Sequence, residues 1–210
     1  VQIGANDGSI NDPIYKFVQF AKERTDILLV EPQEDLIPYL RQNYSSHPNA
    51  TIIQAAVGPP GTLELYAVEQ AYWPALKPIG YAQDWPEYRA PTGVTSAERA
   101  HVFKWLTEHL KAPGDADKAI RSFHVPCMNV AGLLSEAEFK TEIDVLQIDA
   151  EGSDDTVIYN ANLDILRPAV INFEVSHLPK DRLHALERHL HSHGYQMNQC
   201  GMDALAIRCL

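Results

Sequence analysis

The residues with the clearest chemical potential lie at the start of the chain. Residues 4–8 read Gly-Ala-Asn-Asp-Gly after an apolar run, and a second apolar run, which begins at Ile27, ends in Glu31. Glycine lets a backbone turn pass close to a ligand, and a carboxylate at the end of the next strand can accept hydrogen bonds from both hydroxyls of a ribose. This pairing predicts a site for a nucleoside-bearing cofactor.

The glycine spacing favours one class of cofactor over another. Dinucleotide-binding loops read G-x-G-x-x-G, whereas this loop reads G-x-x-x-G, contains Asn6 and Asp7, and has no Lys or Arg nearby. An acidic loop with an amide side chain suits a ligand that has an ammonium and a sulfonium, such as S-adenosylmethionine, better than a pyrophosphate. The alternative is a tight strand-to-helix turn that binds nothing.

Composition and charge exclude several classes of function. The chain has 210 residues, of which 45% are hydrophobic and 21% charged, as is ordinary for a soluble globular domain. A net charge of −11 without a Lys/Arg cluster argues against nucleic acid as a partner. No apolar stretch approaches the ~18–20 residues that cross a bilayer. The cysteine pattern predicts neither disulfides nor zinc, so we expect a cytoplasmic protein. Because the chain begins inside a predicted strand, we also expect that its natural N-terminus is missing.

The hydrophobic pattern alternates strands with helices. Strands are predicted at residues 1–4, 26–31, 51–56, 62–67, 122–127, 143–149, 169–174, 195–200 and 204–209. Helices are predicted at residues 13–22, 34–44, 96–111, 130–137, 154–160 and 180–193. On the first helix, the spacing places Ile14, Phe17, Val18 and Ala21 on the buried face. This order predicts an α/β fold with a doubly wound, mostly parallel sheet and an antiparallel last strand.

The alternation breaks between residues 68 and 121, a stretch that contains all three tryptophans. We therefore expect a single domain, 1–210, with an aromatic-rich insertion. Aromatic rings stack on sugar faces and exclude water, so residues 72–105, with Trp73 and Trp85, are a candidate lid over an acceptor. The alternative is a small separate core beneath a long loop.

Two further predicted strands end in acids, Asp149 and Glu174, at the edge where α/β sheets bind ligands. Residues 149–155 read Asp-Ala-Glu-Gly-Ser-Asp-Asp, which is denser in carboxylates than helix capping requires. Asp149 and Glu151 are therefore candidate site residues, whereas Asp155 is expected to act as favourable charge at a helix N-terminus.

Together, these segments resemble the FkbM family of S-adenosylmethionine-dependent methyltransferases. The resemblance lies in the glycine motif, Glu31-Pro32, and residues 54–58, 146–154 and 171–174. It covers most of the chain outside residues 68–121, with Gln147 where the family usually has lysine and Asp154 where it usually has glutamate. It implies a Rossmann-like class I methyltransferase fold with a seven-stranded sheet.

The resemblance implies methyl transfer, most often to a hydroxyl of a sugar or a natural-product small molecule. The cofactor contacts that it implies are Gly4, Asn6, Gly8, Glu31, Pro32, Gln54, Ala55 and Asp149. Since a hydroxyl acceptor benefits from a base, Asp149 is the first candidate for that role and His177 the second. The candidate acceptor contacts are Glu151, Glu174, Trp73 and Trp85.

Metal sites and other functions are weighed against this interpretation. Asp149 and Glu174 could hold Mg²⁺, but without a third ligand the sequence does not favour a metal. His189 and His193 lie one turn apart, yet the glutamate of H-E-x-x-H is absent between them, so a solvated helix face is expected rather than zinc. An NAD-dependent oxidoreductase of similar fold and a non-catalytic binding module stay open as alternatives.

Overall fold

A seven-stranded sheet forms the centre of the computed structural model, which describes residues 1–76, 83–139 and 142–209. Within these residues there are ten strands: β1 Gln2–Ile3, β2 Ile27–Val30, β3 Ala50–Ile53, β4 Ala56–Val57, β5 Gly61–Val68, β6 Ile120–Met128, β7 Val145–Ile148, β8 Val170–Glu174, β9 Tyr195–Cys200 and β10 Asp203–Arg208. The order across the sheet is β3-β2-β1-β7-β8-β10-β9. Strands β3, β2, β1, β7 and β8 are parallel, and β10 runs antiparallel to both of its neighbours, which confirms the predicted antiparallel last strand.

Strand β2 shows why this sheet has helices on both faces. All four of its residues are buried, at 0–2% exposure. Leu28 and Val30 belong to one core cluster, whereas Ile27 and Leu29 belong to another. Because successive strand residues point to opposite faces, the sheet carries a core on each side, as in the predicted doubly wound arrangement.

Helices outside residues 62–125 cover these two faces. The helices outside residues 62–125 are α1 Tyr15–Phe20, α2 Ile37–Asn43, α5 Val130–Glu136, α6 Asp154–Tyr159 and α7 Lys180–Ser192, and those within that range are α3 Arg89–Thr92 and α4 Arg99–His109. Leu36, Leu40 and Tyr44 are buried in and around α2, and Leu186 and Leu190 are buried on α7. No helix in the described part of the chain has both the length and the apolar character that crossing a bilayer requires.

The buried face predicted for the first helix is partly wrong. Helix α1 begins at Tyr15 rather than at residue 13, because the Asp12 carboxylate accepts the backbone N–H groups of Ile14 and Tyr15 at 2.9 and 2.6 Å. Val18 is buried and packs with the partly buried Ile14 and Tyr15, but Phe17 is 65% exposed. Val18 lies four residues after Ile14 and three after Tyr15, so these share a face, and Phe17 is rotated away from it.

Residues Thr62–Val125 form a compact unit of their own, and Val1–Gly61 with Pro126–Leu210 form the other. In the smaller unit, β5 and β6 are neighbouring strands outside the seven-stranded sheet. Its core is made of Val68, Leu76, Val94, Val102, Leu106, Ala116 and Ala119. The expected insertion thus has an apolar core, and residues 77–82 of the predicted lid lie outside the described residues.

Candidate functional site

The carboxyl ends of neighbouring parallel strands bring the predicted residues to one edge of the sheet. Ile3 of β1 is in register with Val30 of β2 and with Ile148 of β7. Directly beyond this row, the Gly4 N–H donates to the Val30 carbonyl at 2.9 Å and the Asp149 N–H donates to the Ile3 carbonyl at 3.0 Å. The glycine loop, Glu31 and Asp149 therefore begin side by side, as the sequence predicts.

Gly4 is required by the close approach of two backbones. Its φ is +71°, and a Cβ built on it would lie 1.8 Å from the carbonyl oxygen of Asp149. No side chain fits at that distance, and a positive φ is itself unfavourable for residues other than glycine. The loop after β1 and the loop after β7 are thus held against each other by an interaction that only glycine permits.

Glu31 joins the end of β2 to the glycine loop. Its carboxylate is 3% exposed, and Oε2 accepts the Asn6 N–H at 2.7 Å. Oε1 accepts the backbone N–H of Gln33 at 2.9 Å and its side-chain amide at 3.2 Å. Because a carboxylate offers about four acceptor positions, it can organise several donors at the end of this strand. This is the position and the chemistry that a ribose-binding acid requires.

The two other polar positions of the loop are organised differently. Asn6 has a φ of 49°, and its side-chain oxygen accepts the N–H of Asp7. Asp7 is fully buried, and its Oδ1 accepts the N–H groups of Ser9 and Ile10 at 2.8 and 2.9 Å. The Asp7 carboxylate therefore stabilises the turn itself. Its acidity is one of the features by which the sequence predicted a loop suited to a cationic ligand.

Packing against α2 explains the second glycine of the motif. A Cβ on Gly8 would lie 2.7 Å from Leu40 Cδ2 and 2.8 Å from Tyr44 Cε2, and its φ is +70°. This glycine lets the loop lie directly on the helix. Packing against α2 is enough to explain Gly8 without a cofactor, so the contact of Gly8 with the cofactor stays a prediction.

The segment after β3 lies beside Glu31, because the Glu31 N–H donates to the Ile53 carbonyl at 3.1 Å. Gln54 is exposed, and its side-chain amide donates to the Pro32 carbonyl at 3.4 Å. Ala55 is fully buried in the core, so only its backbone could contact a ligand. The structure therefore brings Pro32, Gln54 and Ala55 together next to the proposed ribose position.

A cluster of carboxylates follows β7 and β8. Oxygens of Asp149, Glu151 and Glu174 all lie within 4.8 Å of one another. His177 joins them, with its Nε2 3.6 Å from Glu151 Oε2 and 3.7 Å from Glu174 Oε1. All four predicted residues are thus brought together. Glu151 supplies a third oxygen ligand, which the sequence alone did not identify. Three carboxylates in this arrangement could hold a divalent cation.

Asp154 is the residue at this edge that sequence reasoning missed. It is fully buried, its Oδ1 accepts the Glu174 N–H at 3.1 Å, and its Oδ2 has no hydrogen-bond partner among the described residues. Burial, and then the charge of Asp149, raise the pKa of the Asp154 carboxyl to about 7. Nothing in the sequence distinguishes Asp154 from Asp155, which follows it.

Asp155, by contrast, has a structural partner. Its carboxylate is buried and forms a two-oxygen ion pair with Arg182 of α7, including a 2.8 Å hydrogen bond from Nε. Arg182 also donates to the Gly152 carbonyl at 3.2 Å. The guanidinium therefore holds the loop after β7 against α7, in agreement with a structural role for Asp155.

In the smaller unit, the two predicted acceptor residues have different surroundings. Trp73 packs against that unit's own core, and its indole N–H donates to the Val68 carbonyl at 3.2 Å. The guanidinium of Arg89 lies 5.2 Å from the centre of the Trp85 ring. These contacts favour the separate-core alternative for Trp73, and both acceptor contacts stay predictions.

Comparison with protein-family models gives a match over nearly the whole chain. The model described as the methyltransferase FkbM domain matches residues 2–197. Comparisons with curated proteins and with solved structures give no match. The match confirms the family resemblance found in the glycine motif, at Glu31 and in the acidic segment after β7.

Proposed function

Because this chain belongs to the FkbM methyltransferase family and is therefore a methyltransferase, we propose that it uses S-adenosylmethionine to methylate a hydroxyl of a sugar or natural-product small molecule. The observation that carries the proposal is the position of the Glu31 carboxylate. It ends β2 within hydrogen-bond distance of the glycine loop, beside a strand end that carries Asp149. The seven-stranded sheet is also mostly parallel with an antiparallel last strand, as expected for the class I methyltransferase fold that the family resemblance implies.

The residues at this edge fit the cofactor. When bound, its sulfonium supplies a methyl group that is already electrophilic. Glu31 would accept hydrogen bonds from the ribose hydroxyls, and the backbone of the loop from Gly4 would lie along the amino acid portion. The loop has no Lys or Arg to neutralise a pyrophosphate, which favours this ligand over a dinucleotide.

The carboxylate cluster fits the acceptor half of the reaction. As the acceptor oxygen forms its bond to the methyl carbon, its proton must pass to a base. Asp149 is exposed at the end of β7 and is our first candidate for that base. His177 is the second, because Glu151 and Glu174 lie close enough to stabilise the imidazolium that would form. In an alternative that the sequence does not favour, Mg²⁺ held by Asp149, Glu151 and Glu174 would replace that base by lowering the pKa of the acceptor hydroxyl.

Calorimetry separates the candidate functions. We expect S-adenosylmethionine to bind the purified protein and NAD not to bind. Glu31→Ala is expected to lose most of the affinity, while Glu34→Ala, which removes an exposed acid three residues away, is expected to keep it. Tight binding of NAD would favour the oxidoreductase alternative, and unchanged affinity in Glu31→Ala would refute the assignment of the ribose site.

The acceptor contacts can be tested separately. With a hydroxylated acceptor identified by screening, Trp85→Ala is expected to raise the KM for the acceptor and leave cofactor affinity nearly intact. Trp73→Ala is the matched comparison, because its ring also packs in the core of its unit. Parallel loss of stability and of both affinities in Trp73→Ala would indicate a purely structural ring.

A further inference from the structure

Strands β7 and β8 stop pairing just before two acids of the candidate site. The last pair in their register is Gln147 with Asn172, and the next hydrogen-bonded step of a continued parallel ladder would reach Asp149 and Glu174. The two strand ends, residues 148–150 and 174, therefore form a fork, which we call the β7–β8 fork. Ligands of open α/β sheets bind outside the carboxyl ends of the strands, where this fork lies.

The carboxyl of Asp154 lies in the β7–β8 fork. The Val170 N–H donates to the Asp144 carbonyl at 3.0 Å, and because strand N–H groups alternate in direction, the Glu174 N–H also faces β7. That N–H donates to Asp154 Oδ1 at 3.1 Å. The backbone N–H of Ala150 is also close enough to interact with this carboxyl. One fully buried side chain thus occupies the position that the next step of backbone pairing would fill.

A second side chain bonds the fork from the other face of the sheet. The Gln147 amide donates to the Ile148 carbonyl at 3.2 Å, and its oxygen accepts the Asn172 side-chain amide at 2.8 Å. Gln147 is buried and alternates with Leu146 and Ile148, which belong to the core cluster to which α6 contributes. Asp154 begins α6, so the two side chains approach the fork from opposite faces.

An acid at this position is unfavourable for stability. Asp154 Oδ2 is buried and has no hydrogen-bond partner among the described residues, and a buried polar atom without a hydrogen bond destabilises the folded state. The negative charges of Asp149 and Glu174 lie close enough to disfavour its ionised form as well. Stability alone therefore does not explain Asp154, whereas the control of two strand ends does.

The residues that follow Glu174 depend on where the fork holds its backbone. The Glu174 carboxylate accepts the Ser176 hydroxyl and lies 3.7 Å from His177 Nε2. On the other strand end, Asp149 has a carboxylate oxygen within 4.8 Å of one on Glu174. The hydrogen bond from the Glu174 N–H to Asp154 therefore helps to set how Glu174 and His177 lie relative to Asp149.

We propose that Asp154 is a positioning residue for the acceptor half of the reaction, an inference that rests on the proposed function. By bonding the backbone of the β7–β8 fork, it holds the candidate base Asp149 and the candidate acceptor contact Glu174 at the separation that the acceptor hydroxyl requires. Because its own side chain is fully buried, it acts through these two residues and does not touch the acceptor.

The test compares Asp154→Ala, which removes the acceptor of the Glu174 N–H, with Asp154→Asn, which keeps an oxygen there. With methyl glycosides as probes, Asp154→Ala is expected to lower kcat/KM for the glycoside by about tenfold or more. Its affinity for S-adenosylmethionine, measured by calorimetry, is expected to stay within about twofold of wild type. Asp154→Asn is expected to restore most of kcat/KM. Amide hydrogen exchange needs no acceptor, and the Glu174 amide is expected to exchange about ten times faster in Asp154→Ala but not in Asp154→Asn.

Tyr195→Phe is the matched control, because it removes a buried 2.7 Å hydrogen bond to the Pro168 carbonyl just before β8 and leaves the fork intact. It is expected to lose stability and keep wild-type kcat/KM. The proposal is overturned if Asp154→Ala keeps wild-type kcat/KM, if Asp154→Asn falls as far as Asp154→Ala, or if Tyr195→Phe loses as much activity. Wild type that methylates no glycoside would count against the proposed function, and unchanged exchange of the Glu174 amide in Asp154→Ala would then still overturn the role of Asp154.

Discussion

The loops after β1 and β7 begin side by side on the same sheet edge and use their acids in opposite ways. Both contain residues with positive φ, among them Gly4 in the first and Glu151 in the second. In the first loop, Asp7 is fully buried and accepts backbone N–H groups. In the second, Asp149 is exposed and crowded by other carboxylates. An acid whose oxygens are satisfied by its own turn supports structure, whereas crowded acids at a strand end indicate chemistry.

The largest effect is expected at the contact between the two loops. Gly4→Ala places a Cβ 1.8 Å from the Asp149 carbonyl oxygen, so the loops must separate. We expect a loss of more than about 4 kcal/mol in the free energy of unfolding, measured with urea. Gly201→Ala is the control, since Gly201 has a φ of +67° but no atom within 4 Å of the added Cβ. Equal losses in the two variants would show that backbone strain, not the contact, accounts for Gly4.

Asp149→Asn tests whether the second loop carries the chemistry. The substitution removes one of several like charges, so stability is expected to hold or rise slightly, while turnover falls by about 10²–10³-fold as a base is lost. The measurement is kcat at saturating cofactor beside a denaturation curve. Asp181→Asn, an exposed acid in the first turn of α7, is expected to leave both unchanged. A fall in stability without a fall in kcat would show that Asp149, like Asp7, stabilises its loop and does not act as a base.

Asp7→Ala probes the structural acid of the first loop. The N–H groups of Ser9 and Ile10 lose their acceptor inside a buried turn, which is expected to cost about 2 kcal/mol of unfolding free energy. Asp7→Asn keeps an oxygen in the same place and is expected to restore most of that loss. If both variants were equally destabilised, the negative charge of Asp7 rather than its hydrogen bonds would be what the loop requires.

Asp154→Asn is expected to change how the free energy of unfolding depends on pH. The pKa of this carboxyl rises from 3.8 to about 7 on folding, so the folded state binds more protons than the unfolded state between these values. Stability of the wild type should therefore fall as pH rises from about 4 to 7, with a slope of up to about 1 kcal/mol per pH unit. The variant should lack this contribution, measured by thermal denaturation in EDTA. Identical slopes would show that Asp154 ionises normally.

The sequence was sufficient to predict which residues meet at the site edge. Strand ends were marked by apolar runs that finish in Gly4, Glu31 and Asp149, and parallel register places such ends together. Orientation was not predictable, since the inward turn of Asp7 and the burial of Asp154 depend on which backbone groups lie nearby in three dimensions. The hydrophobic pattern also did not show that Phe17 would face solvent. That depends on where α1 starts, which is set by the hydrogen bonds of Asp12.

The extent of the insertion was also only partly predictable. The break in the pattern at residues 68–121 marks it, but β5 and β6 pair with each other outside the main sheet, and the compact unit runs over Thr62–Val125. Alternating residues identify a strand without identifying its partner. The core against which Trp73 packs can be recognised only once the pairing of β5 with β6 is known.

The guanidinium of Arg182 has a consequence for how the acidic loop can move. It is bonded both to Asp155, at the start of α6, and to the carbonyl of Gly152. One side chain thus bonds the loop at Gly152 and at the first turn of α6. Any rearrangement that admits an acceptor must either leave residues 152–155 in place or break several charged hydrogen bonds at once, so the mobile partner in such a step is expected to be the short segment that carries His177.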